Sequence, residues 1–535
     1  MTPRQSIQNY LVTAEQMQQI EQRIFDSGMP VAALMEKVSG RITQQFVRWF
    51  VDCTNRRKGT VGILAGPGHN GGDALVVGRE LHFLGYGVQI YQPFSSLKPL
   101  TAQHAQYAKS LGIAFVDDLQ GLANCDAMID GWFGFGLTRA IEGELAADVQ
   151  ALNRERIPVF SIDLPSGIHT DTGEVMGAAI KASYTACLGL WKRGFMQEKA
   201  LAYLGESGLV DFDIPLADIV AVLGESPAVQ RLTDEQAIAH LPLNRSATAY
   251  KYTAGHLLLV AGSRTYAGAA LIAGLGAVAS GVGMLTLAVP ESIRLALLPQ
   301  LPGALLIGCS ETDDGVIAAF SKQFDLDKYD AIAFGPGLTP TNPTLLETVL
   351  AAKCPLLLDA DGLNLLAQDS PVKKLQARTA PTILTPHIGE FKRLFSDRQS
   401  SLPGAIAHQA AIDSGAVILL KGPRSAIASP DRLWFNPHST PALARGGSGD
   451  VLTGLMGGLL ASTAKETSSN SQPLTSAVLD TASDAILSAA LGATLGAVWW
   501  HSQAAISASQ SRTILGVDPM HLAQNLDLAL QKAIL

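Results

Sequence analysis

The chain has 535 residues, too many for one ordinary domain and enough for two to four, each able to bury a sizeable core. With 47% hydrophobic residues, 16% charged residues and 51 glycines, it reads as a soluble α/β protein whose buried parallel strands are continuous apolar runs. A net charge of −8, with Arg56, Arg57 and Lys58 as the one short basic cluster, argues against a nucleic-acid surface.

Cys53, Cys125, Cys187, Cys309 and Cys354 are scattered and include no C-x-x-C pair. Neither a disulfide framework nor a zinc site is indicated, and the expected setting is reducing and cytoplasmic. Residues 1–19 lack the apolar stretch of a signal peptide, and the apolar run 487–500 is short and rich in alanine and glycine. It predicts a core helix, so no membrane association is expected.

In chain order, Met17, Ile20, Ile24, Leu34, Met35, Val38, Ile42, Phe46 and Phe50 recur three or four apart and predict a helical pair over 12–50. A strand at 61–65 leads into a glycine loop at 66–73 and then a helix over 74–84, the layout of a phosphate site. Further strands are predicted at 88–91, 127–130 and 159–163, with a helix over 101–111. Asp130 and Asp163 end two of these strands beside the loops 131–137 and 164–167, at the edge where an open parallel sheet binds ligands. Each acid taken alone is equally well a cap for the segment that follows it. The alternation of strands and helices over 61–190 predicts a doubly wound sheet.

Around 211–244 the pattern loosens into a linker or covering segment, which puts a domain boundary near 225 and gives domains 1–225 and 226–535. The second α/β domain restarts with a strand at 255–261, a glycine turn and an alanine-rich helix to 280, then strands at 285–289, 330–334, 355–358, 382–385 and 416–421. It closes on Gly446, Gly447, Ser448, Gly449 and Asp450, followed by a buried helix over 451–460. Residues 463–476, rich in Ser, Thr and Asn, predict an exposed loop.

Glycines that let a ligand approach the main chain, followed by a helix N-terminus, make an anion site. Asp450 at its edge is suited to take a proton from a hydroxyl attacking phosphorus. The alternative is a helix start with a capping acid.

The ordered motifs in both halves resemble the bifunctional NAD(P)H-hydrate repair enzymes, an epimerase domain of Rossmann-like α/β fold followed by a ribokinase-like α/β dehydratase domain. In the C-terminal half the resemblance rests on residues 261–270, 334–338, 358–364, 384–391 and 446–450; in the N-terminal half, on Leu34-Met35-Glu36, residues 66–73, Asp130, Gly134–Leu137 and residues 163–167. It implies that the hydrated nicotinamide ring of NADHX or NADPHX loses water at the expense of ADP with Mg2+, while the other domain interconverts the R and S hydrates with K+.

By motif, Asp450 is the implied base, and Gly446, Gly447, Ser448 and Gly449 the implied anion hole. Lys421, Gly422, Pro423, Arg424 and Ser425 are implied to contact the nucleotide, and Ala269, Gly337 and His387 to line the hydrate pocket. In the first domain the implied substrate contacts are His69, Asn70, Gly71, Gly72 and Asp73; Gly134, Phe135, Gly136, Leu137, Thr138, Arg139 and Ala140; and Asp163, which is also the candidate for proton chemistry. Asn70, Asp130 and Ser166 match the potassium ligands.

The chain departs from the family pattern at Lys37, His69, Phe135, Arg445 and His438–Thr440. Phe135 is expected to narrow the substrate loop and Lys37 to compete with the cation. A ribokinase-like small-molecule kinase with a non-catalytic N-terminal nucleotide-binding module is the second reading, distinguished by a stable phosphate ester as product in place of inorganic phosphate. Symmetric self-association is expected of such α/β units.

Overall fold

The computed structural model describes residues 5–320, 324–398, 400, 402–469 and 482–535. Two compact units result, Met1–Pro227 and Ala228–Leu535.

The first unit is built on a seven-stranded parallel sheet in the order Ala114–Val116, Gly87–Tyr91, Thr60–Ala65, Ala127–Gly131, Val159–Ile162, Tyr184–Leu188, Glu206–Val210. The order reverses direction at Thr60–Ala65: the chain first winds to one side, then returns to pair Ala127–Gly131 on the other. That switch point leaves a crevice at the carboxyl ends of two neighbouring strands. Burial of Val61, Ile63, Leu64, Ile129, Phe160 and Ile162 explains their unbroken apolar runs. One face packs against Ala14–Asp26 and Val31–Thr54 through Met17, Ile20, Ile42, Phe46 and Phe50.

The glycine stretch at 66–73 is only partly a loop. The helix begins at His69 and runs to Phe83, so the last five residues of the motif form its first turn. Close packing outweighs the low helix propensity of Gly71 and Gly72.

The second unit carries an eleven-stranded mixed sheet, in the order Val229–Arg231, Leu433–Phe435, Ala426–Ala428, Val417–Leu420, Thr382–Leu384, Leu356–Leu358, Ala331–Phe334, His256–Val260, Met284–Pro290, Leu305–Glu311, Ile317–Ala319. The run from Val417–Leu420 to Leu305–Glu311 is parallel, and its switch point lies between His256–Val260 and Ala331–Phe334.

Two further segments depart from expectation and a third does not. The 211–244 segment is not a bare linker: it contains the helices Leu216–Leu223 and Asp234–Ala239, and its strand Val229–Arg231 pairs with Leu433–Phe435. The helix expected over 451–460 runs from Ser448 to Ser469, so residues 463–469 are helical where a loop was expected; residues 470–476 lie outside the described residues. The apolar run 487–500 lies within the helix Ala482–Arg512, whose Ala493, Val498 and Trp499 are buried, as expected. Among the described residues no helix is long and apolar enough to cross a membrane.

Helices Ala267–Ala279 and Ser448–Ser469 pack unusually closely, because a Cβ on Gly454 would lie 1.8 Å from the Ala273 carbonyl oxygen and one on Gly276 2.2 Å from that of Val451. Their contact fixes where the second helix begins.

Candidate functional sites

In the second unit the strand-end motifs converge on Asp359. Its carboxylate is 2% exposed; Oδ1 accepts from Lys421 Nζ at 2.7 Å and from Thr385 Oγ1 at 2.8 Å, while Oδ2 accepts from Thr453 Oγ1 at 2.6 Å. Burial works against an ionised Asp359, but Lys421 and the hydroxyls hold its carboxyl below the usual range. Burial likewise works against the Lys421 ammonium, and Asp359 and Glu390 hold its pKa above the ordinary value.

Lys421 Nζ lies 3.6 Å from the position a Cβ would take on Gly449. The lysine therefore stands beside the start of the helix Ser448–Ser469, whose leading N–H groups favour an anion. Gly447 turns the chain into that helix with φ of 92°. Ser448 is held from both sides: its hydroxyl donates to Leu443 O at 2.8 Å and its carbonyl lies 2.9 Å from His501 Nε2. Asp450 sits in the first helical turn, and no hydrogen bond engages its carboxylate among the described residues. Burial, reinforced by Asp359, pushes its carboxyl up to about 7. A capping carboxylate bonded to backbone N–H groups would be held low, so the geometry does not support the capping alternative.

His387 caps the helix Ile388–Leu394, and its Nδ1 accepts from the N–H groups of Gly389 and Glu390 at 2.9 and 3.4 Å. That fixes the proton on Nε2, which lies 3.5 Å from Glu390 Oε1. His387 pairs with Lys421 by a backbone bridge, which brings the two motifs side by side. Gly337 is adjacent to Ala269: a Cβ on it would lie 2.8 Å from Ala269 Cβ.

Arg424 is turned to a structural task, with Nη1 donating to Pro437 O and Ser439 Oγ, whereas Gly422 and Pro423 are exposed and Ser425 is partly exposed. Arg445 bonds the carbonyls of Leu515 and Val517, away from its motif. Gly446 is exposed at the tip of the loop.

In the first unit a cavity of about 710 Å³ opens at the switch point. Its wall includes His69, Asn70, Asp73, the whole run from Gly134 to Ala140, and Asp163. Gly71 and Gly72 do not line it: they pack against the Gly66 backbone and Met35. Asp163 has φ of 69°, which is costly for a residue with a side chain and is sustained by its bonds. Oδ2 accepts from Phe135 N at 2.9 Å, and Oδ1 meets Lys192 Nζ at 2.5 Å. The Lys192 side chain is fully buried, and Asp163 holds its pKa above the ordinary value against the cost of burial.

Asp130, completely buried, accepts from Ser161 Oγ and Ser166 N at 2.8 Å, Ser166 Oγ at 2.6 Å and Trp132 N at 3.3 Å. Burial raises its pKa, and these bonds oppose the rise. Phe135 lies in the cavity wall, as expected. Lys37 does not reach it: its ammonium pairs with Asp213 at 2.9 Å, so competition with a cation is not borne out.

One family model matches within each of the two units. The family described as NAD(P)H-hydrate dehydratase matches residues 257–528, and the YjeF-related protein N-terminus matches residues 31–194. The bifunctional NAD(P)H-hydrate repair enzyme of Synechocystis sp. is 50% identical over 517 residues, covering 96% of this chain and 94% of its own. This chain belongs to the bifunctional NAD(P)H-hydrate repair enzyme family. Another member of this repair family, from Thermosynechococcus vestitus, is 47% identical, covering 98% of both chains. A crystal structure of an ADP/ATP-dependent NAD(P)H-hydrate dehydratase from Bacillus subtilis, co-crystallised with ATP and Mg2+, is 31% identical over 56% of this chain and 97% of its own, with a TM-score of 0.44.

Two groups central to the geometry of this repair enzyme have no role in the sequence reading. Asp359 lies within a motif but reads there as one acid of two, and Lys192 sits in the two-residue strand Trp191–Lys192. An acid ending the apolar run 355–358 was the available signal for the first; nothing local marks the second.

Proposed function

We propose that this chain repairs hydrated NADH and NADPH in two steps: its N-terminal unit interconverts the R and S hydrates, and its C-terminal unit dehydrates the S form with ADP, releasing AMP and phosphate. The observation that carries the dehydratase reading is Asp450, an unpaired, half-buried acid beside an anion-binding helix start and a lysine.

In this reading Asp450 takes the proton of the ring hydroxyl as its oxygen attacks the terminal phosphorus of ADP, and AMP leaves. The N–H groups at Gly446, Gly447, Ser448 and Gly449, with Lys421 beside them, meet the charge that builds on the transferred group. Loss of the phosphate ester then restores the ring double bond. Lys421 acts with Asp359 as its counter-ion, and Gly422, Pro423, Arg424 and Ser425 form the edge over which the rest of the nucleotide lies. Ala269, Gly337 and the Nε2–H of His387 hold the nicotinamide ring. Mg2+ would arrive with the nucleotide and neutralise its phosphates.

In the N-terminal unit, Asn70, Asp130 and Ser166 fit a monovalent cation. The hydrogen-bond donors to the buried Asp130 carboxylate are all neutral, so a bound K+ would supply the missing positive charge. Asp163 is the group that moves protons at the hydrated carbon.

Incubating the purified protein with S-NADHX and ADP should restore the absorbance of NADH and release inorganic phosphate in equal amount. A stable phosphate ester in its place would support the kinase reading. The same assay with ATP measures nucleotide preference.

A further inference from the structure

The cavity that holds Asp163 contains an ionisable group used by none of the motifs. Glu21 lies on the helix Ala14–Asp26, between the buried Ile20 and Ile24, and lines the cavity with Phe25 one turn further on. Among the described residues its carboxyl has no hydrogen bond, and the charges it feels are Lys192 and Asp163. An acid placed on a wall that is otherwise mainly apolar, with no bond to repay its desolvation, costs the fold stability, and such groups cluster at functional sites. The other ionisable groups on the wall differ in kind. The Asp73 carboxyl, which burial with Glu21 and Asp163 nearby pushes up to about 8, accepts from Ser39 Oγ at 3.0 Å, and His69, Lys98, Arg139 and Glu142 are exposed.

We propose that Glu21 is a catalytic acid of the epimerisation, protonating the hydroxyl of the hydrated ring, while Asp163, held by Lys192, receives a proton from the water that adds to the opposite face. This rests on the epimerase reading of the N-terminal unit.

The hydroxyl-bearing carbon is bonded to the ring nitrogen. When Glu21 gives its proton to the hydroxyl oxygen, the C–O bond breaks, water leaves with the bonding pair, and the nitrogen lone pair forms a C=N bond. The carbon is then planar. A water oxygen attacks the other face, the C=N pair returns to nitrogen, and Asp163 takes the surplus proton. Glu21 ends ionised and Asp163 protonated, and transfer of one proton between them through solvent resets the site. Running the steps backwards converts the other epimer, so each carboxyl serves once as acid and once as base. Burial pushes the Glu21 carboxyl up to about 7, where both forms are populated near neutral pH.

The test uses the full-length protein with separated R- and S-NADHX, potassium and no nucleotide, in heavy-oxygen water, followed by chromatography and mass spectrometry. Wild type should incorporate one solvent oxygen per interconversion. Glu21→Gln should lower the interconversion rate by about 10²–10⁴-fold, the usual contribution of a general acid, with the thermal unfolding temperature unchanged or raised. Glu21→Asp, which keeps an acid, should recover part of that loss. Interconversion in Glu21→Gln within about threefold of wild type, equal loss in both variants, or interconversion without label would overturn the proposal. If wild type interconverts the epimers no faster than buffer, the epimerase reading fails and the proposal falls with it.

Discussion

The base role proposed for Asp450 requires it ionised, and its carboxyl is pushed up to about 7 by burial and by Asp359. Dehydration of the S hydrate should therefore rise with pH through about 7 and level off above it, and Asp450→Asn should lose about 10²–10⁴-fold in kcat. A flat profile across that interval, or an active Asn variant, would remove Asp450 from the role of base.

Asp359 gives a second prediction at this scale. Replacing it with Asn removes a negative charge that raises the Asp450 pKa, so the acid limb of the surviving activity should move to lower pH. It also leaves the Lys421 ammonium without its partner, at a cost of about 3–5 kcal/mol read by denaturant unfolding. The Asp359 carboxyl is held low in the fold, so the stability it contributes is present above the unfolded carboxylate pKa and is lost as pH falls through the folded one. The stability gap between wild type and Asp359→Asn should accordingly narrow in acid.

At the scale of elements, the close crossing of Ala267–Ala279 with Ser448–Ser469 positions the candidate dehydratase loop. A methyl group at Gly454 would lie 1.8 Å from the Ala273 carbonyl oxygen, so Gly454→Ala must push the helices apart. The expected cost is about 1–3 kcal/mol in chemical denaturation, as for other overpacked cores. Dehydration should fall as well, because Asp450 is one turn away, whereas epimerisation should be unchanged.

Elements with long apolar runs were legible in the sequence, among them the strands at 60–65, 127–131, 159–162 and 256–260. The three-residue strands Ala426–Ala428 and Leu433–Phe435 were not, because a run that short carries no period and no strand-end motif marks them, as one does at the equally short Leu356–Leu358 and Thr382–Leu384. The turn of helix at His69 was hidden by glycines whose composition signals a loop, and 463–469 by polar residues that extend a helix past its buried part.

At the scale of the whole molecule, the two units divide the work, and point substitutions in the intact chain should separate them. With R and S hydrates, ADP and potassium supplied, Asp163→Asn should leave the R form unconsumed above its spontaneous epimerisation while still clearing S. Asp450→Asn should clear neither yet still interconvert them. Chromatography of both epimers over time checks this, and equal clearance of R by wild type and Asp163→Asn would show that Asp163 is not needed for epimerisation. Replacing potassium by lithium should slow the interconversion step alone if Asn70, Asp130 and Ser166 hold the ion.

By itself the sequence determined the fold class and the order of the strand-end motifs, because local features carry them: apolar runs, glycine turns and acids at strand ends; the candidate site residues came from the family resemblance of those motifs. Tertiary structure alone decided which side chains face each other. Only the folded sheet brings Asp359 to Lys421 across 62 positions and Lys192 to Asp163 across 29, and only the cavity at the switch point turns Glu21 from one polar residue of an amphipathic helix into an acid lining a cavity. The physical reason is that a charge is defined by its surroundings: the same carboxyl is an ordinary solvated group in the chain and a tuned acid, base or counter-ion once burial and a partner set its pKa.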